Sequence, residues 1–405
     1  MNILFLSELF YPHGGGAELA TYLYAKLLSG KGFSVIVVTN RFGGEPEVSK
    51  EGKLTVYRLP LFRETESVKY SILSRVDVLL SGFMKRLMKW TDVVYIPRFW
   101  YSAIPLAKAY TKPVITHLHD YILLCPLSNL YDGTEDATCN RIHRHRCPKC
   151  IYNREKIQGR GFLDTLGSMV LNSTLGFLLG KCVEFSDAVV CVSNDHRNTI
   201  LQMDSSLQTK LHMIYNPLPD IHYETGQGND FGFFGGSSRL KGFHVLCQAL
   251  SDINRDDRIV AVHAAGFSGS LRSNPHWLYD IGIDAYGKLS RSQYAELYRN
   301  IRCVILPSVC QETFSYVLVE ALLSERIVIA SKIGAIPEVS EDCEGVFLFP
   351  SGDHHQLADK ILYVKQLSKD TVAELGKKNR QRMLEKFSNE KSISEFIHLI
   401  DTILC

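Results

Sequence analysis

No stretch of the 405-residue chain reaches the roughly 18–20 uninterrupted apolar residues that a membrane-spanning helix requires. A basic leader and a small-residue cleavage site are also missing, because Met1 to Leu6 enters an apolar strand pattern at once. Net charge is nearly absent: 45 Lys and Arg against 43 Asp and Glu leave +2, which gives no electrostatic reason to expect a nucleic-acid partner. There is no short-period repeat and no low-complexity segment. An even, paired cysteine framework is lacking too. The eleven cysteines mostly stand singly in apolar runs, as at Cys191, Cys247 and Cys303, and read as small buried hydrophobes of a reducing compartment. These absences point to a cytoplasmic protein, with the inner face of a membrane as the one alternative location.

The length exceeds a usual single core and favours two domains. Short β-rich runs alternate with helical patterns from the first residues. Ile3–Leu6 reads as a strand and Gly14-Gly15-Gly16 as a turn. Ala17 to Ser29 then carries leucines at helical spacing. Further strands are predicted at 34–39, 56–59, 93–96, 114–116 and 188–192. The pattern breaks at Asn216-Pro217-Leu218-Pro219 and a polar stretch, then restarts. Phe231–Phe234 reads as a strand, Gly235-Gly236 as a turn and Phe243–Leu250 as a helix, with strands to follow at 260–264, 303–306, 327–330 and 346–349. Strands alternating with helices imply parallel sheets and an α/β class. The expected division is 1–215, 216–385, and a C-terminal helix over 386–405 that packs back on the first domain.

Two segments combine basic heads with apolar faces: 61–90, with Arg63, Lys69, Arg75, Lys85, Arg86 and Lys89, and 154–181, with Arg154, Lys156 and Arg160. Ordinary helices packed on a sheet and helices lying on an anionic membrane both satisfy that pattern.

Several residues could carry chemistry. A strand passing through Gly14–Gly16 into a helix leaves backbone N–H groups at the helix mouth, where an anion such as a diphosphate is favoured. The full dinucleotide fingerprint is absent. Gly235-Gly236 followed by Lys241-Gly242 is a second such turn. Here a lysine could stabilise a leaving diphosphate, and Arg239 could add a bidentate contact. Glu312 falls just beyond the strand ending at Leu306, the edge where open α/β sheets bind ligands. Ser315 suits the N-cap of the next helix, in which Glu320 is a lone carboxylate among Val, Leu and Ala. Two carboxylates facing a cleft suit a polyhydroxylated ligand.

These pieces, taken in order with Glu18, His119-Asp120, Ser193, Asn216-Pro217, Ser331 and Gly334-Ala335-Ile336-Pro337-Glu338, resemble the retaining glycosyltransferase family four. The resemblance spans nearly the whole chain. It implies the GT-B fold, two Rossmann-like domains facing across a cleft, and hexosyl transfer from a UDP- or GDP-sugar to a glycan or lipid-linked acceptor. By position, Glu312 would hold donor hydroxyls and Glu320 the nucleotide ribose. Thr313, Phe314, Ser315 and Tyr316 would meet sugar and diphosphate through their backbone, and Lys241 would neutralise the diphosphate. Gly15 and Gly16 would approach it from the first domain, with Gly235 and Arg239 on the second. His119 would face the reacting carbon. His117 is an equal candidate by composition; only its neighbour's pairing with Asp120 selects His119.

The chain departs from the family where an arginine usually follows the second-domain glycine, since that position is Gly236. Thr313 and Ser315 stand where glycines are usual. Cys125, Cys139, Cys147 and Cys150 follow His119-Asp120, with His143 and His145 as alternates and Arg141, Arg144 and Arg146 around them. The four cysteines read as the ligands of a structural zinc, with disulfides, an iron–sulfur cluster and free thiols as the alternatives. No cofactor is required for the chemistry the resemblance implies. A sugar-nucleotide 2-epimerase and a non-catalytic sugar-nucleotide-binding protein are the competing functions.

Overall fold

The computed structural model describes residues 1–62, 75–133, 135, 137–140, 147–157, 159–221, 228–253, 260–267 and 276–404. Arg63, Lys69, Arg141, His143, Arg144, His145 and Arg146 lie outside the described residues. The chain divides into two compact units. The first comprises Met1–Thr134, Asn140–Pro219 and Ser388–Cys405, and the second Glu135–Cys139 and Asp220–Phe387. The break comes after Pro219 because Leu218 is tied to the last helix: its N–H donates to Asn389 Oδ1 at 2.6 Å and its carbonyl accepts from Asn389 Nδ2 at 3.1 Å.

The first unit is built on β1 (Asn2–Leu6), β2 (Ser34–Asn40), β3 (Val48–Glu51), β4 (Leu54–Leu59), β5 (Val93–Ile96), β6 (Val114–Leu118), β9 (Ala188–Cys191) and β10 (Leu211–Met213), the two-residue β7 (Tyr131–Asp132) and β8 (Ala137–Thr138) lying outside its sheet. Their order is β10-β9-β6-β5-β1-β2-β4-β3, parallel throughout except for the β3–β4 pair. Strand alternation makes two apolar faces. Leu4, Leu6, Val94 and Ile96 join one cluster with Trp100 and Met88, while Ile3, Phe5, Val93 and Tyr95 join another with Tyr24. The second cluster also takes in Ile393, Phe396, Leu399 and Ile400 of the C-terminal helix. Both faces of this sheet are therefore covered, as a parallel sheet requires.

The helices of this unit are α1 (Gly16–Gly30), α2 (Arg75–Leu80), α3 (Gly82–Trp90), α4 (Ala103–Ala109), α5 (Cys147–Ile157), α6 (Phe162–Val170), α7 (Gly176–Val183), α8 (Asn194–Met203) and, at the C-terminus, α16 (Asn389–Leu404). The second unit holds α9 (Phe243–Ile253), α10 (His276–Asp280), α11 (Arg291–Asn300), α12 (Tyr316–Leu323), α13 (Ile336–Val339), α14 (His354–Gln366) and α15 (Lys369–Lys386). Its strands are β11 (Asp230–Phe233), β12 (Val262–Ala264), β13 (Ile283–Ala285), β14 (Ile301–Leu306), β15 (Ile327–Ser331) and β16 (Val346–Phe349). All pair in parallel in the order β13-β12-β11-β14-β15-β16, so the sheet grows one way from β11 and then the other way from β14. This is the doubly wound order, and the two units confirm the expected α/β class with two Rossmann-like domains.

Candidate functional site

Between β11 and β14 the chain leaves the sheet in opposite directions, so the loops after these adjacent strands diverge and open a notch at their C-terminal edge. Two sequence-predicted residues meet there. Lys241, on the loop after β11, places Nζ 2.7 Å from Oε1 of Glu312, on the loop after β14. The Ser308 hydroxyl donates to the same oxygen at 2.7 Å. Glu312 is buried, whereas Lys241 keeps about half of its side chain, 47%, in solvent. Burial alone would push the Glu312 carboxyl up. The Lys241 ammonium and the hydrogen bonds from Lys241 and Ser308 outweigh it and hold the carboxyl below its ordinary value. Burial likewise opposes the charge of Lys241, but the facing carboxylate raises its pKa on balance. The site therefore presents a lasting ammonium–carboxylate pair.

Glycines hold both loops close. A Cβ at Gly242, which has φ +76°, would fall 1.7 Å from the Pro307 carbonyl oxygen, so only glycine lets the lysine loop lie on the glutamate loop. Gly334 packs the same way under Glu312: its added Cβ would sit 2.3 Å from the Glu312 carbonyl oxygen. Gly236 explains the missing arginine. Its φ is +57° and a Cβ would lie 2.5 Å from the Gly266 carbonyl oxygen, so no side chain fits without moving the backbone. Gly235 is equally enclosed, its Cβ position lying 2.7 Å from Lys241 Cβ. Arg239 is exposed on the same turn.

Ser315 differs from its expected role. It precedes α12 but adopts φ +64°, ψ +84°, and its hydroxyl makes no capping bond. The left-handed backbone turns the side chain away from the N–H groups a cap would serve, and it is the conformation of the glycine usual at this position. Phe314 and Tyr316 are buried edge to face at 5.4 Å, with Thr313 half-buried beside them. Glu320 is half-buried, and after burial its charge is the second cause raising the Tyr294 hydroxyl's pKa.

The first unit has its own switch point between β1 and β5, and charges meet there too. Arg98, just past β5, donates to Glu18 Oε1 at 2.8 Å and lies 3.4 Å from Asp120 Oδ2. Glu18 is buried and accepts the Gly15 N–H at 2.7 Å. The N–H expected to be open to a diphosphate at Gly15 is thus already bonded, because a buried carboxylate needs donors. Gly16 opens α1 and is exposed.

His119 stands at the end of β6, stacked on His117 at 4.4 Å between centroids. Burial, then His117 and Arg98, keep His119 neutral by driving its pKa well below 6.5. His117 is fully buried, bonded through Nδ1 to the Tyr95 hydroxyl at 2.8 Å, and its pKa is pushed to about 3 by burial. Of the two histidines, His117 is thus the packed structural one. Arg98 and Ser308 received no role from sequence. Each lies two residues beyond a predicted strand end, but only the strand order shows that those ends flank the switch points.

Cys147 and Cys150 share the first turn of α5, with Cys150 Sγ 3.6 Å from Asp132 Oδ1. Cys125 lies 4.0 Å from Asn129 Oδ1, and Cys139 belongs to the short stretch grouped with the second unit. Among the described residues, Asp252, His354 and His355 lie close enough together to hold a metal ion.

Residues 228–366 match the family model described as glycosyl transferases group 1. An uncharacterized 42.6 kDa protein of the Klebsiella pneumoniae cps region is 23% identical over 86% of this chain and 89% of its own length. Among solved structures, sucrose-phosphate synthase of Thermosynechococcus elongatus superposes with a TM-score of 0.72 at 16% identity, covering 99% of this chain and 98% of that one. Anabaena HepE, solved with UDP-glucose, superposes at 0.66 and 17% identity, over 99% and 100% of the two chains. The matched stretch lies in the second unit, and the two doubly wound sheets are those of the GT-B fold, so the chain has the GT-B fold and is similar to the group 1 glycosyl transferases over residues 228–366.

Proposed function

We propose that the chain is a retaining glycosyltransferase that moves a hexosyl group from a UDP- or GDP-sugar to a hydroxyl of a glycan or lipid-linked acceptor. The observation that carries this reading is the Lys241–Glu312 pair at the switch point of the second unit. An ammonium has three donors, and the one spent on Glu312 leaves two for diphosphate oxygens. Both bonds to Glu312 use Oε1, which leaves Oε2 to accept from sugar hydroxyls. As the bond from the anomeric carbon to the diphosphate breaks, negative charge grows on the leaving oxygen, where a fixed cation stabilises the transition state most. The acceptor oxygen attacks from the face the diphosphate leaves, and its proton passes to a diphosphate oxygen. His119, held neutral, would hydrogen-bond to sugar or acceptor without adding charge. The reaction needs no metal; zinc on Cys125, Cys139, Cys147 and Cys150 would be structural. The HepE complex with UDP-glucose supports a nucleotide sugar as the donor class.

A panel of UDP- and GDP-sugars, screened for binding, slow hydrolysis and transfer with the anomeric configuration of the product read by NMR, tests the reading. Lys241→Ala and Glu312→Ala are each expected to lower turnover about 10²–10³-fold with unchanged circular dichroism. Turnover equal to the parent at saturating donor would remove these roles. Interconversion of free sugar nucleotides without transfer would indicate an epimerase.

A further inference from the structure

Helix α6 is built inside out. Its buried positions are polar: Thr165 and Ser168, continued by Asn172 in the π-helical turn Leu171–Leu175. Its exposed positions are apolar, with Phe162 76%, Leu163 79% and Val170 58% in solvent, and Leu166 beside them. At 100° per residue, Phe162, Leu166, Val170 and Leu163 fall within an arc of about 100°. Leu178 and Phe185 extend the exposed apolar set beyond α6.

The polar side is fixed by a buried carboxylate. Glu155 of α5 has no solvent exposure, accepts from Ser168 Oγ at 2.9 Å and pairs with Arg154 and with Arg160 Nε, the latter at 3.1 Å. Asn172 Nδ2 closes the network on the Ser168 carbonyl at 2.7 Å. This network sets which face of α6 points inward, and rotating the helix to bury its leucines would take the Ser168 hydroxyl away from the buried Glu155, which is costly.

A water-facing helix does not expose Phe, Leu and Val while hiding Ser, Thr and Asn; such a face needs an apolar environment. The surroundings are cationic. Between Cys147 and Val183 there are five Lys or Arg and two Asp or Glu, one of the acids being the buried Glu155, and Lys149 and Lys156 are exposed on α5. No helix of the described residues is long and apolar enough to cross a membrane. We infer that the apolar face of α6, continued by α7, is a docking surface for a bilayer containing anionic phospholipid, lying in the interface plane with α5 supplying contacts to headgroups. This stands apart from the donor chemistry of the second unit.

The test is flotation of the full chain with vesicles of phosphatidylcholine alone or mixed with phosphatidylglycerol. The parent is expected to float with the mixed vesicles, and less so as salt rises. Phe162→Ser combined with Leu163→Ser, both outside the core, should weaken partitioning about ten- to a hundredfold. Its melting temperature and nucleotide-sugar binding should stay at the parent's values. Failure of the parent to bind either vesicle, or equal binding by the variant, overturns the inference. So does a parent dimer in light scattering that the variant makes monomeric, because the face would then belong to a second copy.

Discussion

Replacing Lys241 by methionine keeps the length and the apolar stem of the side chain and removes only its charge. In the parent, burial penalises the Glu312 carboxylate, but the ammonium at 2.7 Å and the Ser308 hydroxyl outweigh that penalty. A carboxyl whose pKa is depressed on folding stabilises the protein above its unfolded pKa, about 4.3, and loses that contribution as pH falls through the folded value. The parent's Glu312 therefore adds no pH dependence between pH 5 and 8. In Lys241→Met only Ser308 opposes burial, and the folded pKa moves above the unfolded one. The native state then holds a proton the unfolded state has lost, and stability falls as pH rises from the unfolded pKa to the raised folded one, with a slope approaching about 1.4 kcal/mol per pH unit in that window and levelling off above it. At pH 7 the variant should be less stable by about 1–3 kcal/mol, at the lower end for a buried pair because Lys241 is half in solvent. Denaturant melts of both proteins from pH 5 to pH 8 read this directly, since every other titrating group cancels in the difference. Parallel curves would refute the reasoning and mean that Glu312 does not depend on Lys241.

In the first unit, Arg98→Met leaves the buried Glu18 with the Gly15 N–H as its donor, and should cost about 2–4 kcal/mol by chemical denaturation; a loss under about 0.5 kcal/mol would show the pair to be dispensable. Ser315→Gly relieves a left-handed serine, and should raise stability by about 0.5–1 kcal/mol, checked by urea melts; an unchanged or lower stability would refute this.

The sequence pattern and the structure agree where period decides. Runs such as Ile3–Leu6 and Ile327–Ala330 are continuous and apolar because both faces of a parallel sheet are covered, and glycines mark where each first strand turns. The Lys241–Glu312 contact was legible only as two residues named for the same ligand. Their 71-residue separation closes because β11 and β14 are neighbours, which no local pattern encodes. Ser308 and Arg98 were missed for that reason. Ser315 was read as a cap from its residue type, whereas the tertiary path of the loop imposed a backbone that serine does not prefer. The inverted face of α6 was half visible: the segment 154–181 showed basic heads on an apolar stretch, but which side faces the core depends on Glu155, buried on a different helix.

Strand order explains more than where the site lies. In each unit the connection after the first strand and the loop after the strand across the switch point are joined by a cation–carboxylate pair: Glu18, in the first turn of α1, with Arg98, and Lys241 with Glu312. Only the second leaves its cation substantially in solvent, with 47% of the Lys241 side chain exposed against 27% for Arg98. Arg98 is further occupied by Asp120, so its charge is matched within the protein, while Lys241 keeps donors available to an incoming anion. The same architectural position thus yields a matched ion pair in one half and a solvent-accessible cation in the other. The steric closure at Gly236 sharpens the contrast: with no arginine able to stand there, the proposed stabilisation of a leaving diphosphate would fall first on Lys241.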